Sequence, residues 1–165
     1  MILEPKKIIP LLRIQHGMTV LDIGAGVGFW AKQISPIVGA SGKVLALDHN
    51  PDITTRLQND IKDLSLKNIF PMTGDLHEIE KSGISVGVCD KVLLVRMTQY
   101  FLDEPEEILN GLKKLVREGG EIIIIDILPL MRELKKLIQN LFSFSEIDSV
   151  SEKTSNAYHA LRITL

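Results

Sequence analysis

Four runs of branched apolar residues recur along the chain, at Thr19 to Ile23, Lys43 to Leu47, Lys91 to Val95 and Glu121 to Ile127. Each is apolar nearly throughout rather than at alternate positions, the pattern of strands covered by helices on both faces. A weaker run, Asn68 to Thr73, predicts a shorter strand. Between the strands, Ile53, Leu57, Ile61 and Leu64 repeat at helical spacing, as do Ile108, Leu109, Leu112, Leu115 and Val116. Strand and helix in alternation predict an α/β fold around a parallel sheet.

The second of these helices carries end signals of its own. Asp103 followed three residues later by Glu106 reads as a capping box, Pro105 suits the first turn, and Gly119-Gly120 stops the helix. Met131, Leu134, Leu137, Ile138, Leu141 and Phe142 then mark another amphipathic helix, with Arg132, Lys135 and Lys136 on its solvated face. The tail from Glu146 to Leu165 alternates, with His159, Leu161, Ile163 and Leu165 on one side, and predicts a closing hairpin. No internal repeat, low-complexity linker or block of like charge divides the chain. One domain over 1–165 is expected: a short N-terminal segment at 1–19, a ligand-binding core at 20–128, and the helix and hairpin at 129–165.

Composition narrows the class. A chain of 165 residues can bury a core, and 45% apolar with 24% charged residues is ordinary for a globular protein. The formal net charge of −2 lacks the Lys/Arg excess that draws a protein to nucleic acid or anionic lipid, so neither nucleic acid nor membrane is an expected partner. The single cysteine, Cys89, has no thiol to bridge and suits a reducing, cytoplasmic location. Met1 to Lys7 shows neither the apolar stretch nor the cleavage site of a secretory signal. The most hydrophobic stretch, Ile122 to Met131, is interrupted by Asp126 and Pro129 and falls short of the roughly 20 residues of a membrane span. His16 and His159 have no metal-ligand spacing with Cys89 or an acidic cluster, so no metal is expected.

Chemistry concentrates after the first strand, where glycines fall at 24, 26 and 28 ahead of a helix that begins near Phe29. Glycine there tolerates positive φ and lets a ligand lie against the backbone. A dinucleotide fingerprint would need glycine at position 29, where Phe29 stands, and a Walker loop would need a Gly-Lys-Ser/Thr ending that is missing.

Asp22-Ile23-Gly24-Ala25-Gly26-Val27-Gly28 resembles motif I of the class I S-adenosylmethionine-dependent methyltransferases. The similarity extends from the Gly17-Met18-Thr19-Val20 lead-in to the closing hairpin. That resemblance implies a Rossmann-like, doubly wound, mostly parallel seven-stranded sheet with a C-terminal antiparallel hairpin. It also implies S-adenosylmethionine as cofactor, S-adenosylhomocysteine as product, and methyl transfer to an O, N or C atom of an unidentified small-molecule acceptor. The cofactor-binding set carried over is Asp22, Gly24, Ala25, Gly26, Gly28, Asp48, His49, Asp75, Leu76 and Arg96. In it, Asp48 accepts from the two ribose hydroxyls, a role suited to an acceptor-only carboxylate; the alternative is a cap or turn residue before Pro51. Asp75 accepts from the adenine amine and Leu76 covers the ring; the alternative is that Gly74-Asp75 is an ordinary turn. Asp22 holds the methionyl amine, directly or through water, or only ties down the loop backbone.

Ligands of open α/β sheets lie outside the carboxyl ends of the strands, so Arg96-Met97-Thr98-Gln99-Tyr100-Phe101 faces the methyl group. The Asn/Asp-Pro-Pro-aromatic motif of base-amine methyltransferases is missing there. Asp90-Lys91-Val92 through Pro105, with Leu112 to Gly120, looks more like the small-molecule branch that includes quinone-biosynthesis enzymes. Many of those have a histidine pair where this chain has Gln99 and Tyr100.

Displacement at a sulfonium needs positioning more than a base. Tyr100 and His77 are the nearest bases, although Tyr100 equally suits a pocket wall and His77 a surface. Phe29 and Trp30 either wall the cofactor or belong to the core. Because segment 1–19 is shorter than the helical lid of many relatives, an open site is expected, covered by a second copy, a partner subunit or a larger acceptor. A fold-only relative acting as a partner subunit is the alternative to an enzyme.

Overall fold

A computed structural model describes residues 5–141, 147–151 and 158–165. The chain opens with a short helix α1 (Pro5–Ile8) and a 3₁₀ turn (Ile9–Leu12). It continues through β1 (Thr19–Ile23), α2 (Phe29–Val38), β2 (Lys43–Asp48), α3 (Pro51–Asp63) and β3 (Ile69–Thr73) to a second 3₁₀ turn (Ile79–Lys81). Then come β4 (Cys89–Val95), α4 (Thr98–Asp103), α5 (Pro105–Leu115), β5 (Val116–Ile127), α6 (Leu128–Leu141), β6 (Ile147–Ser151) and β7 (Tyr158–Thr164).

The strands form one seven-stranded sheet in the order β3-β2-β1-β4-β5-β7-β6. The first five are parallel, while β7 runs antiparallel between β5 and β6. The chain winds outward from β1 in one direction and from β4 in the other, which opens a crevice above the junction of β1 and β4.

Successive strand residues point to opposite faces. Leu21, Ile23, Val92, Leu94, Ile122 and Ile124 therefore pack with Phe101, Ile108, Leu112, Leu134 and Ile138 of α4, α5 and α6. Val20, Val44, Ala46, Leu93, Ile123 and Ile125 pack with Trp30, Ala31, Ile34 and Leu57 of α2 and α3, and with Ile8 and Leu12 of the N-terminal segment. Two buried layers explain why the strands read as unbroken apolar runs.

Two sequence expectations are corrected. Asp103 ends α4 and forms no capping box, because the residue ahead of α5 is Glu104, which makes no side-chain cap bond. Nor does α5 reach Gly119: it ends at Leu115, and the extended Val116 pairs with Cys89 across an irregularity in the ladder. A β-branched residue with a strand partner wins over the helical spacing. The tail alternates as expected, with Leu161, Ile163 and Leu165 on one side, and its other side is buried as well. Leu161 and Ile163 enter one layer, Ala160 enters the other, and Arg162 is buried. Arg162 Nη2 donates to Leu11 O at 2.5 Å and its Nε lies 3.3 Å from Glu121 Oε2, while Lys91 pairs with the same carboxylate. That network fastens the N-terminal segment across the sheet, at the end of β4 and β5 opposite the crevice. Phe142 and Glu146 lie outside the described residues. Among the described residues no helix is long and apolar enough to cross a membrane.

Candidate cofactor and acceptor site

Where β1 ends, the backbone turns through left-handed Gly24 (φ 70°), Gly26 (55°) and Gly28 (77°) into α2. Gly24 and Ala25 donate to Leu47 O at 2.9 and 3.0 Å, and Gly26 donates to Asp48 Oδ2 at 2.8 Å. The loop is thus laced to the end of β2. Two of the glycines also admit close neighbours. A Cβ on Gly28 would stand 2.5 Å from Leu57 Cδ1, and one on Gly24 would stand 2.6 Å from Met97 Sδ.

Beside the loop lies a cavity of about 330 Å³, lined by Ile23, Gly24, Leu47, Asp48, His49, Gly74, Asp75, Leu76, His77, Met97 and Tyr100. The ends of β1 to β4 bring these residues together. Of the residues singled out from the sequence, Gly24, Asp48, His49, Asp75, Leu76, His77 and Tyr100 line the cavity, whereas Asp22, Ala25, Gly26, Gly28 and Arg96 do not.

Asp48 is buried, with Oδ1 accepting from the Asn50 amide at 3.0 Å and Oδ2 from Gly26. Each oxygen keeps a lone pair for the cavity. The helix cap is Asn50 instead, which accepts from the Asp52 and Ile53 amides at 2.9 and 3.4 Å. His49 Nδ1 sits 3.5 Å from Asp48 Oδ1 at the exposed rim.

Asp22 occupies the other side of the sheet. It is 1% exposed and lies under the loop towards α2, with one oxygen, Oδ2, lacking any partner. Burial pushes its carboxyl up to about 7, opposed by the Ala31 amide and reinforced by the charge of Asp48.

Asp75 is exposed, and its Oδ1 accepts from the His77 amide at 2.9 Å, while Leu76 is buried beside it. The His77 ring reaches Glu104 Oε2, 3.0 Å from Nδ1. On the far wall Arg96 takes a left-handed φ of 59° and anchors the end of β4 by donating its amide to Ile125 O at 2.8 Å. Its side chain is exposed. Tyr100 is 52% exposed. Phe29 and Trp30 meet edge to face at 5.3 Å, Trp30 in the core and Phe29 outside it. Of the segment expected to face the methyl group, Met97 and Tyr100 line the cavity; Leu47, a lining residue without a site role in the sequence reading, reads as strand core. Among the described residues no cluster of three His, Cys, Asp or Glu could hold a metal.

The profile of a family described as a methyltransferase domain matches residues 14–162. The chain belongs to the S-adenosylmethionine-dependent methyltransferases. It is 29% identical over 155 residues to the ribosomal RNA large subunit methyltransferase E of Wigglesworthia glossinidia brevipalpis, covering 91% of this chain and 68% of that one. To the demethylmenaquinone methyltransferase of Lactococcus lactis it is 27% identical, covering 88% of this chain but only 58% of the relative. The fold matches a SAM-dependent methyltransferase of Aquifex aeolicus with a TM-score of 0.81 at 21% identity, over 98% of this chain and 89% of that one.

The cavity of this methyltransferase fits the family cofactor. A carboxylate suited to a diol and a buried leucine suited to a ring line a space at the lower end of the roughly 300–1,000 Å³ range of small-molecule sites. When bound, S-adenosylmethionine supplies a methyl group already activated on a sulfonium.

Proposed function

We propose that the methyltransferase seats the cofactor ribose on Asp48 and the adenine between Asp75 and Leu76, and delivers the methyl group to a small molecule against Met97 and Tyr100. The observation that carries this reading is Asp48, a buried carboxylate held in place by two backbone amides and open to the cavity. Gly26, Gly28, Ala25 and Asp22 shape the loop in this reading rather than touch the ligand. The acceptor wall is apolar and aromatic, and among the described residues no lysine or arginine lines the cavity. Orientation and water exclusion by that wall provide the acceleration, and Tyr100 acts as a wall.

Calorimetric titration with S-adenosylmethionine and S-adenosylhomocysteine tests the first half. Binding to the wild type and a loss of at least about 10-fold for Asp48→Ala are expected, since a charge-assisted hydrogen bond contributes about 1.5–3 kcal/mol. No heat from either ligand in the wild type would refute it. A second reading is an RNA acceptor, favoured by the ribosomal RNA relative and by the exposed Arg96 and Tyr100 beside the cavity. Labelled methyl transferred to ribosomal RNA, with none to a small-molecule panel, would establish that reading in place of the first.

A further inference from the structure

The wall that presents Met97 and Tyr100 is built on α4, a helix of six residues held at its two ends by contacts of different kinds. Its start is fastened in the interior. The Thr98 amide donates to Asp126 Oδ2 at 3.2 Å, both residues are buried, and Phe101 is fully buried in the core. Its end is not. Glu104, the joint between α4 and α5, is exposed, has φ −140° and ψ 61°, and caps neither helix with its side chain.

The Glu104 carboxylate instead crosses to His77, with Oε2 3.0 Å from Nδ1. His77 belongs to the opposite wall. Its amide is held by Asp75, it follows Leu76, and its ring lines the cavity. The loop that carries it is fixed further along, where Ile79 packs so closely on α5 that a Cβ on Gly111 would meet it at 2.5 Å and Lys114 bonds Glu80 at 2.5 Å. One wall is therefore rigid against α5; the other is anchored in the interior through Thr98, Phe101 and Leu102, and at its far end only the Glu104 side chain is left without a cap partner. Tyr100 lies one helical turn before Glu104, so whatever holds Glu104 sets how far Tyr100 leans into the cavity.

We propose that the His77–Glu104 pair is a latch that couples the two halves of the site: an adenosyl ligand against Asp75 and Leu76 orders His77, His77 holds Glu104, and α4 then presents Met97 and Tyr100 to the acceptor. The latch rests on the cofactor reading above. His77 and Glu104 are positioning residues, since their contact is with each other rather than with the reacting atoms. A pair exposed by a third on one side and a half on the other is weak alone and opens readily in the empty protein. Ligand-borne ordering of one partner can then shift it, by about threefold to fivefold for an exposed pair.

Backbone hydrogen exchange of residues 99–103 in the full chain, with and without saturating S-adenosylhomocysteine, tests this. In the wild type the ligand is expected to slow exchange there by about threefold to fivefold. Glu104→Ala should abolish that slowing while the ligand still binds, because Glu104 does not line the cavity. His77→Ala, compared at a ligand concentration raised to saturate it because His77 lines the cavity, should also abolish the slowing, the double variant should lose nothing more, and Glu104→Gln, which keeps a polar partner, should restore part of the slowing. Asp60→Ala, which breaks the Lys32 pair between α2 and α3 and touches neither wall, should leave it intact. Wild-type slowing retained in Glu104→Ala, or ligand bound to the wild type with no slowing, would overturn the latch alone. Failure of the wild type to bind the ligand would overturn the cofactor reading and the latch together.

Discussion

Replacing Asp22 by Asn probes the residue that costs the glycine loop most. Its carboxyl is pushed from the usual 3.8 up to about 7, chiefly by burial, with one oxygen unpartnered. The native state therefore keeps its proton up to about pH 7, while the unfolded chain releases it near 3.8. Between those values the folded protein binds more protons, so stability falls as pH rises through the window and levels off above it. At about 1.4 kcal/mol per pH unit, the loss accumulated by pH 8.5 is about 4 kcal/mol.

Asn keeps the shape and an oxygen for the Ala31 amide and carries no charge at any pH. Its amide donor replaces an oxygen that had no partner, as does the hydroxyl of protonated Asp22, so the two neutral forms are close in energy. Asp22→Asn should match the wild type to within about 1 kcal/mol at pH 4. It should melt higher at pH 8.5 by about 8–16 °C, at about 2–4 °C per kcal/mol for a chain of this size. Thermal unfolding of both proteins at four or five pH values measures this. A constant offset from pH 4 to pH 8.5, or a variant less stable at pH 8.5, would refute the assignment of Asp22 as a buried, largely neutral group.

Gly28→Ala meets a φ of 77° and a clash with Leu57, and should cost about 2–5 kcal/mol in urea unfolding, the sum of a left-handed backbone and an overfilled site. Gly26→Ala, with a φ of 55° and nothing within 4 Å, should cost only the backbone part, about 1–2 kcal/mol; equal losses at the two positions would contradict the packing account. Burial, with Asp90 adding to it, pushes the Cys89 thiol up to about 12, so a thiol reagent at pH 8 should react only at the rate of unfolding. Rapid labelling of the native protein would show that β4 opens locally.

The sheet was legible because its strands are buried on both faces and read as apolar runs; among the buried polar residues they carry, Asp22 and Arg162 are where the reading lost resolution. Alternation already separates Asp22 from the cavity: Val20 and Asp22 share one face of β1, Leu21 and Ile23 the other, and it is Ile23 that lines the cavity. A motif that treats the run from Asp22 to Gly28 as one ligand-binding unit overrides that two-residue period. What the glycines do was legible only in part. Positive φ could be expected at all three, but Leu57 against Gly28 and Met97 against Gly24 come from distant elements that local spacing does not encode. The same holds for Arg162, which an alternating strand would turn towards water. It faces inward because the N-terminal segment crosses the sheet and offers the carbonyl of Leu11, 151 residues away in the chain. The end of α5 follows suit, since Val116 leaves the helix for a partner, Cys89, that only the folded sheet supplies. Hydrophobic period therefore located each wall of the site, while the contacts between walls, Asp48 to Gly26, Met97 to Gly24 and His77 to Glu104, depend on where the crossovers bring the strand ends.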